Sequence, residues 1–171
     1  LCSCDLYKMP IGILIQSNGS LMLCSPLAAY PTFGAMIRAA KQDCYLTNPN
    51  EVNMQCSKAY LLAVRACLEG ETDKRKIVND AKNSVDNVDV QHCITAALHA
   101  VTRDVNLRFS KGWVVNALYV AFYSFLHFER FADAVRWIRD VKKGDTDTNA
   151  SIAGSLWGAY RGYNALMLDP I

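Results

Sequence analysis

The chain has almost no excess of one charge: 18 lysines and arginines stand against 16 aspartates and glutamates, a net +2 over 171 residues. Its longest basic run is the triplet Lys74, Arg75, Lys76. Binding to phosphate backbones takes several converging cations, so nucleic acid is not an expected partner. The seven cysteines, at positions 2, 4, 24, 44, 56, 67 and 93, include no Cys-x-x-Cys pair. That absence and the odd number argue against a disulfide framework, and they point to reduced, buried thiols in a cytoplasmic protein. Cys2-Ser-Cys4 finds no second half of a metal site. A membrane span is lacking too. The longest apolar stretch, GWVVNALYVAFYSFLHF (residues 112–128), is interrupted by Asn116, Ser124 and His127. It falls short of the ~20 residues needed to cross a bilayer and predicts a buried helix. No charged leader or cleavage pattern of a secretory signal opens the sequence. The first residue is Leu1 rather than Met, so an amino-terminally incomplete polypeptide is expected. Strand patterns are nearly absent, IGILIQ (residues 11–16) being the one candidate. There is no internal repeat and no low-complexity segment.

What is present is helical periodicity. The chain is 51% hydrophobic, enough for one sizeable core. Pro31 opens an apolar-periodic segment, PTFGAMIRAAKQ. In TNPNEVNMQCSKAYLLAVRACLEG, Asn48 reads as an N-cap with Pro49 in the first turn and Glu51 three residues on. Val52, Cys56, Ala59, Ala63 and Cys67 line one face of that helix, and Gly70 ends it. A polar connection from 71 to 89 holds a short exposed helix near 76–84. VQHCITAALHAVTRD sets Cys93, Ala96 or Ala97, Ala100 and Val101 on one side. Helices near 112–127 and 130–141 follow. The expected fold is a single all-α domain over residues 1–171, with seven or so helices.

Chemistry concentrates in KKGDTDTNASIAGSLWGAYRGY (residues 142–163). Asp145 and Asp147 are one residue apart and Thr148 adds a hydroxyl, three hard oxygens of the kind magnesium, manganese or calcium prefers. The same residues are good helix caps, and spacing alone favours the cap. A calcium loop of the EF-hand type is excluded, because Ala150 stands where glycine is needed and Leu156 where a bidentate glutamate is needed. Gly154, Gly158 and Gly162 recur every four residues in the helix that follows. Such a stripe predicts close backbone packing at the centre of a bundle. A second stretch, QSNGSLMLCSPLA (residues 16–28), places Ser17, Asn18, Gly19 and Ser20 in a turn whose amides could receive a phosphate. Tyr119, Phe122, Phe125 and Phe128 read as core along one helix, and Trp113, near that helix's start, as a stacking platform for a base. His92, His99 and His127 lack a paired nucleophile and read as structural.

Taken in order, SNGSLMLCSPLA, LTNPNEV, KGWVVNALYVAFY and KKGDTDTNASIAGSLWGAYRGY resemble the ADP-ribosylglycohydrolase family. The last is similar to the family's Gly-Gly-Asp-Thr-Asp-Thr-Asn/Ile-Ala signature at all but its first position. The resemblance implies an all-α fold carrying two magnesium or manganese ions in a cleft. It implies hydrolysis of the glycosidic bond between ADP-ribose and an acceptor, a protein or a small molecule. On that basis Asp145, Asp147 and Thr148 are metal ligands. Ser17, Asn18 and Gly19 belong to the loop that approaches the ADP-ribose phosphates. The resemblance assigns no catalytic base here. The sequence departs from the family at Leu23, Asn48 and Lys143, where many members have Arg, His and Gly. It also lacks the family's amino-terminal Thr-Asp-Asp run. Two octahedral ions need more ligands than three. The isolated chain is therefore expected to be inactive unless an amino-terminal segment or a second chain completes it. The alternative is a non-catalytic member, either an ADP-ribose-binding module or a structural protein like the crystallins that resemble this family.

Overall fold

The computed structural model describes residues 16–99, 112–141 and 144–167. Residues 11–15 of the strand candidate at 11–16, the Cys2-Ser-Cys4 pair, Ala100, Val101 and Lys143 lie outside the described residues. A short helix α1 (Gly19–Leu23) and a 3-10 turn (Ser25–Ala29) lead into α2 (Phe33–Thr47), α3 (Glu51–Leu68), α4 (Lys74–Asn83) and α5 (Val88–Leu98). Then come α6 (Val114–His127), α7 (Phe131–Val141), α8 (Thr146–Arg161) and α9 (Tyr163–Met167). The fold is all-α. Among the described residues β pairing is limited to one isolated antiparallel bridge, between Ser17 and Trp113.

Local chemistry sets the boundaries. Thr32 Oγ1 accepts from the Ala35 amide, Asp73 from the Arg75 and Lys76 amides, and Asn87 from the Val90 amide. Each capping oxygen satisfies a donor that the first turn leaves open. The start of α3 corrects the sequence reading. Its N-cap is Asn50, whose Oδ1 accepts from Val52 N at 2.9 Å, and Asn48 is the C-cap of α2. The physical reason is that the Asn48 side chain has a tertiary use, described below. Helix α3 ends as expected at Gly70, whose φ of 91° suits glycine. Glu71 N reaches back to Ala66 O and Gly70 N to Cys67 O, so the last carbonyls are paired.

Helices α3 and α6 form the interior. Eleven of the fourteen residues of α6 are buried, Val114 through Phe122 together with Ser124 and Phe125 among them. A helix apolar on every side is surrounded by partners, and α6 packs on α3, α4, α5, α7 and α8. Phe128 lies just past the end of α6, as its C-cap, and not on the helix. Helix α3 buries Cys56, Ala59, Ala63 and Cys67 as predicted, and Tyr60 Oη donates to the Ile152 carbonyl of α8 at 2.8 Å. Aromatic edges tie α6 to α8: Phe125 meets Trp157 and Tyr160 at 5.9 and 5.1 Å between centroids, both T-shaped. Lys74 reaches from α4 into this cluster, with Nζ 4.4 Å from the Trp157 ring centre and donating to the Phe128 carbonyl at 2.8 Å. Cys24, Cys44, Cys56, Cys67 and Cys93 are all free and buried. Burial pushes the thiols of Cys24, Cys44, Cys56 and Cys67 upward, that of Cys67 to about 12.

The glycine stripe of α8 also needs correction. The buried face of α8 is Asn149, Ile152, Ala153, Leu156 and Trp157, whereas Gly154 and Gly158 are half-buried on its flank. A Cβ on Gly154 would meet the Phe131 ring at 3.6 Å, an ordinary contact. Gly162 is the C-cap with φ 74°, so it ends the helix and contributes nothing to a packing stripe.

Candidate active site

The four segments singled out in the sequence come together at one end of the bundle. Their meeting starts with the main chain. Val114 N donates to Gln16 O at 3.0 Å and Asn18 N to Gly112 O at 2.8 Å. These two bonds flank the Ser17–Trp113 bridge and lay the 16–20 turn against the entry to α6. The Trp113 indole N–H then donates to Gln16 Oε1 at 2.9 Å. The ring is half-buried against the core, fixed beside the turn.

Side-chain amides hold the other flank of the turn. Asn48 Oδ1 accepts from Ser20 N at 2.9 Å and its Nδ2 donates to Ser17 Oγ at 2.8 Å. One amide thus grips both ends of the turn. A Cβ on Gly19 would lie 3.1 Å from Asn48 Oδ1, so any larger residue would push the clamping amide back by a few tenths of an ångström. Asn53, one turn into α3 and fully buried, donates from Nδ2 to Ser17 O at 2.6 Å and to Ser20 Oγ at 3.2 Å. The turn is therefore held by α2, α3 and α6 together. Its Asn18 and Ser20 amides are committed to protein acceptors, leaving fewer donors for a phosphate than the sequence alone allows.

From this base Asn18 reaches the acidic turn, donating from Nδ2 to Asp145 Oδ2 at 2.6 Å across 127 residues of chain. Asp145 occupies the N-cap position of α8, and its carbonyl accepts from Asn149 N at 2.9 Å, but its side chain makes no capping bond. The simple cap reading therefore does not describe Asp145. Asp147 is exposed in the first turn and Thr148 is half-buried beside it. The Thr148 backbone amide, followed by the Asp145 carboxyl, holds Asp147 below the ordinary carboxylate range. Asn149 is buried, and its Oδ1 has no hydrogen-bond partner.

A family profile described as ADP-ribosylglycohydrolase matches residues 6–169, nearly the whole chain. The chain belongs to the ADP-ribosylglycohydrolase family. No curated protein matches it. Membership makes the chain ADP-ribosylglycohydrolase-like in fold and in general function. Within this family member Leu23 is exposed and Asn48 buried. Two of the departures from the family pattern thus sit in opposite environments, one at the surface near the turn and one beneath it.

The donor set can be tested against the two ions the family pattern implies. Asp145, Asp147 and Thr148 offer hard oxygens only, which suits magnesium or manganese better than zinc. Magnesium keeps several waters and takes one or two protein carboxylates, so the acidic turn fits a single, largely hydrated ion. It does not fit two. Among the described residues no group of three or more His, Cys, Asp or Glu side chains is placed to hold a metal.

Sequence reasoning missed Gln16, Asn53 and the tertiary role of Asn48. A signal for Asn53 was present. Asparagine is a poor residue inside a helix, and one embedded in an apolar-periodic stretch is retained where a tertiary partner uses both ends of its amide. Among the described residues five asparagines, Asn18, Asn48, Asn53, Asn116 and Asn149, are buried. The three histidines stand apart from the site. His92 and His99 are exposed, and His127 Nε2 lies 2.7 Å from the Ala97 carbonyl.

Proposed function

We propose that this protein is an ADP-ribosyl hydrolase that cleaves the glycosidic bond between ADP-ribose and an acceptor, using magnesium or manganese. The observation that carries the reading is the bond from Asn18 to Asp145. It joins the turn that would face the nucleotide to the turn that would hold the cation. Asp145, Asp147 and Thr148 would hold one ion. A divalent ion in that position orients the ribose and lowers the pKa of a bound water. The chain's own residues supply the frame. The Ser17–Gly19 turn, clamped by Asn48 and Asn53, forms a rigid edge for ADP-ribose, and Trp113 presents a ring at a fixed angle for the base to stack on. The second ion draws its ligands from outside the described residues, from an amino-terminal segment or a second chain. The acceptor is an ADP-ribosylated protein or small molecule, and the setting is the cytoplasm, with neither nucleic acid nor membrane as partner. Among the described residues no helix is long and apolar enough to cross a membrane.

The pairing of only two carboxylates among the described residues favours two rivals, a non-catalytic member that binds ADP-ribose and one that serves as a structural protein. Titration calorimetry with ADP-ribose, with and without 1:1 Mn2+, separates the three. The hydrolase reading expects binding that Mn2+ strengthens. A binding module gives heat that Mn2+ does not change, and a structural protein gives none; either result overturns the reading.

A further inference from the structure

We propose that Asn18 is a positioning residue for Asp145 and that its side chain is not a contact for the ADP-ribose phosphates; the proposal rests on the cation reading above. The backbone N–H and carbonyl of Asn18 and one N–H of its side-chain amide are committed inside the protein. Its N–H goes to Gly112 O, its carbonyl accepts from Met22 N, and its Nδ2 goes to Asp145 Oδ2. Asn18 is 6% exposed, so little of it meets a ligand. The 2.6 Å bond is shorter than the usual amide bond, as expected for a donor facing a charged acceptor.

Asp145 shows what the bond accomplishes. At an N-cap an aspartate ordinarily turns its carboxylate onto the amides of its own helix, and Asp145 does not. Asn18 holds one carboxylate oxygen, and the carboxyl also faces the side chain of Asp147. The donor's neutrality matters as well. A lysine or arginine at position 18 would hold Asp145 equally well but would cancel the charge that a cation needs, whereas an amide fixes the carboxylate and leaves it negative. The amide is itself braced: Asn53 donates to the carbonyl of Ser17, next in sequence, and Asn48 clamps both ends of the turn. Placement of Asp145 is thus transmitted from α3 through neutral side chains only.

The test compares wild type, Asn18→Ala and the exchanged pair Asn18→Asp with Asp145→Asn, all in the full chain. The alanine variant keeps the backbone bonds of Asn18 and so keeps the turn. The exchanged pair restores the bond with its polarity reversed. Amide hydrogen exchange at Asn149 and Ala150 is expected to speed up about tenfold in Asn18→Ala and to return to wild type in the exchanged pair, since losing a hydrogen bond to a charged group frees the first turn. Mn2+ affinity, measured with the metal alone, is expected to fall about tenfold in Asn18→Ala and to stay low in the exchanged pair. ADP-ribose affinity at saturating Mn2+ is expected to fall clearly less than Mn2+ affinity does in Asn18→Ala. Unaltered exchange in the alanine variant, or a loss of ADP-ribose affinity as large as the loss of Mn2+ affinity, overturns the proposal. Faster exchange in a protein whose wild type binds no Mn2+ overturns the cation reading instead and supports the tether itself.

Discussion

Replacing Asn48 with alanine tests whether one buried amide holds the turn. Two bonds are lost at once, from Ser20 N at 2.9 Å and to Ser17 Oγ at 2.8 Å. Ser20 is fully buried, so its amide is left without an acceptor and without water. An unsatisfied buried donor costs about 1–3 kcal/mol. The Ser17 hydroxyl is exposed enough to turn to solvent, so its loss adds little. The small void left by the amide adds roughly another 1 kcal/mol. The expected destabilisation is therefore about 2–4 kcal/mol, read by urea unfolding as a shift in midpoint with an unchanged slope. Asn48→Asp sharpens the argument. It keeps the acceptor for Ser20 N, and Ser17 can rotate its hydroxyl to donate, so its cost should be clearly smaller than that of alanine. If Asn48→Ala lies within about 0.5 kcal/mol of wild type, an effect typical of unconstrained surface sites, the clamp is not what holds the turn.

Gly154→Ala should be neutral or stabilise by up to about 1 kcal/mol, since alanine is the better helix former and the new Cβ makes only an ordinary contact with Phe131. Gly162→Ala should destabilise by about 1–3 kcal/mol although its surroundings are open, because φ 74° with ψ 162° is strained for any side chain. Thermal melts of the pair check both signs. Burial depresses the Lys74 pKa below the ordinary lysine range. The folded protein therefore gives up that proton before the unfolded chain does. Between the two pKa values the unfolded state binds more protons, so this residue makes stability rise with pH in that alkaline window. Lys74→Met should abolish the rise while costing about 1–2 kcal/mol near neutral pH from the lost ring and carbonyl contacts, measured by urea unfolding across the alkaline range.

The helices were legible because their signals are local. Apolar periodicity, a threonine, aspartate or asparagine at the starts of α2 to α5 and Gly70 at a stop act within a few residues, and the all-α fold follows from them. Asn48 was misread for the opposite reason. Followed by Pro49 and Glu51, it has the local appearance of an N-cap, but its amide is recruited by Ser17 and Ser20, which lie 31 and 28 residues earlier in the chain. Asn50 then takes the cap. The glycine stripe failed likewise: a four-residue period states which glycines share a face, and only the packing of Phe131 and the end of α8 show that this face is not the buried one. At the site, the residue types in GDTDTN named the chemistry, yet the choice between cap and cation turned on where the Asp145 carboxylate points. That direction is set by Asn18, a partner 127 residues away, which no local pattern encodes.

The most direct test of the functional account is release of ADP-ribose from an ADP-ribosylated acceptor by the full-length gene product, with Mn2+ or Mg2+ and after chelation. The account predicts release that requires the metal and falls at least about a hundredfold in both Asp145→Ala and Asp147→Ala, as loss of an ion-holding carboxylate entails. Metal-dependent release at the wild-type rate in both variants would contradict it.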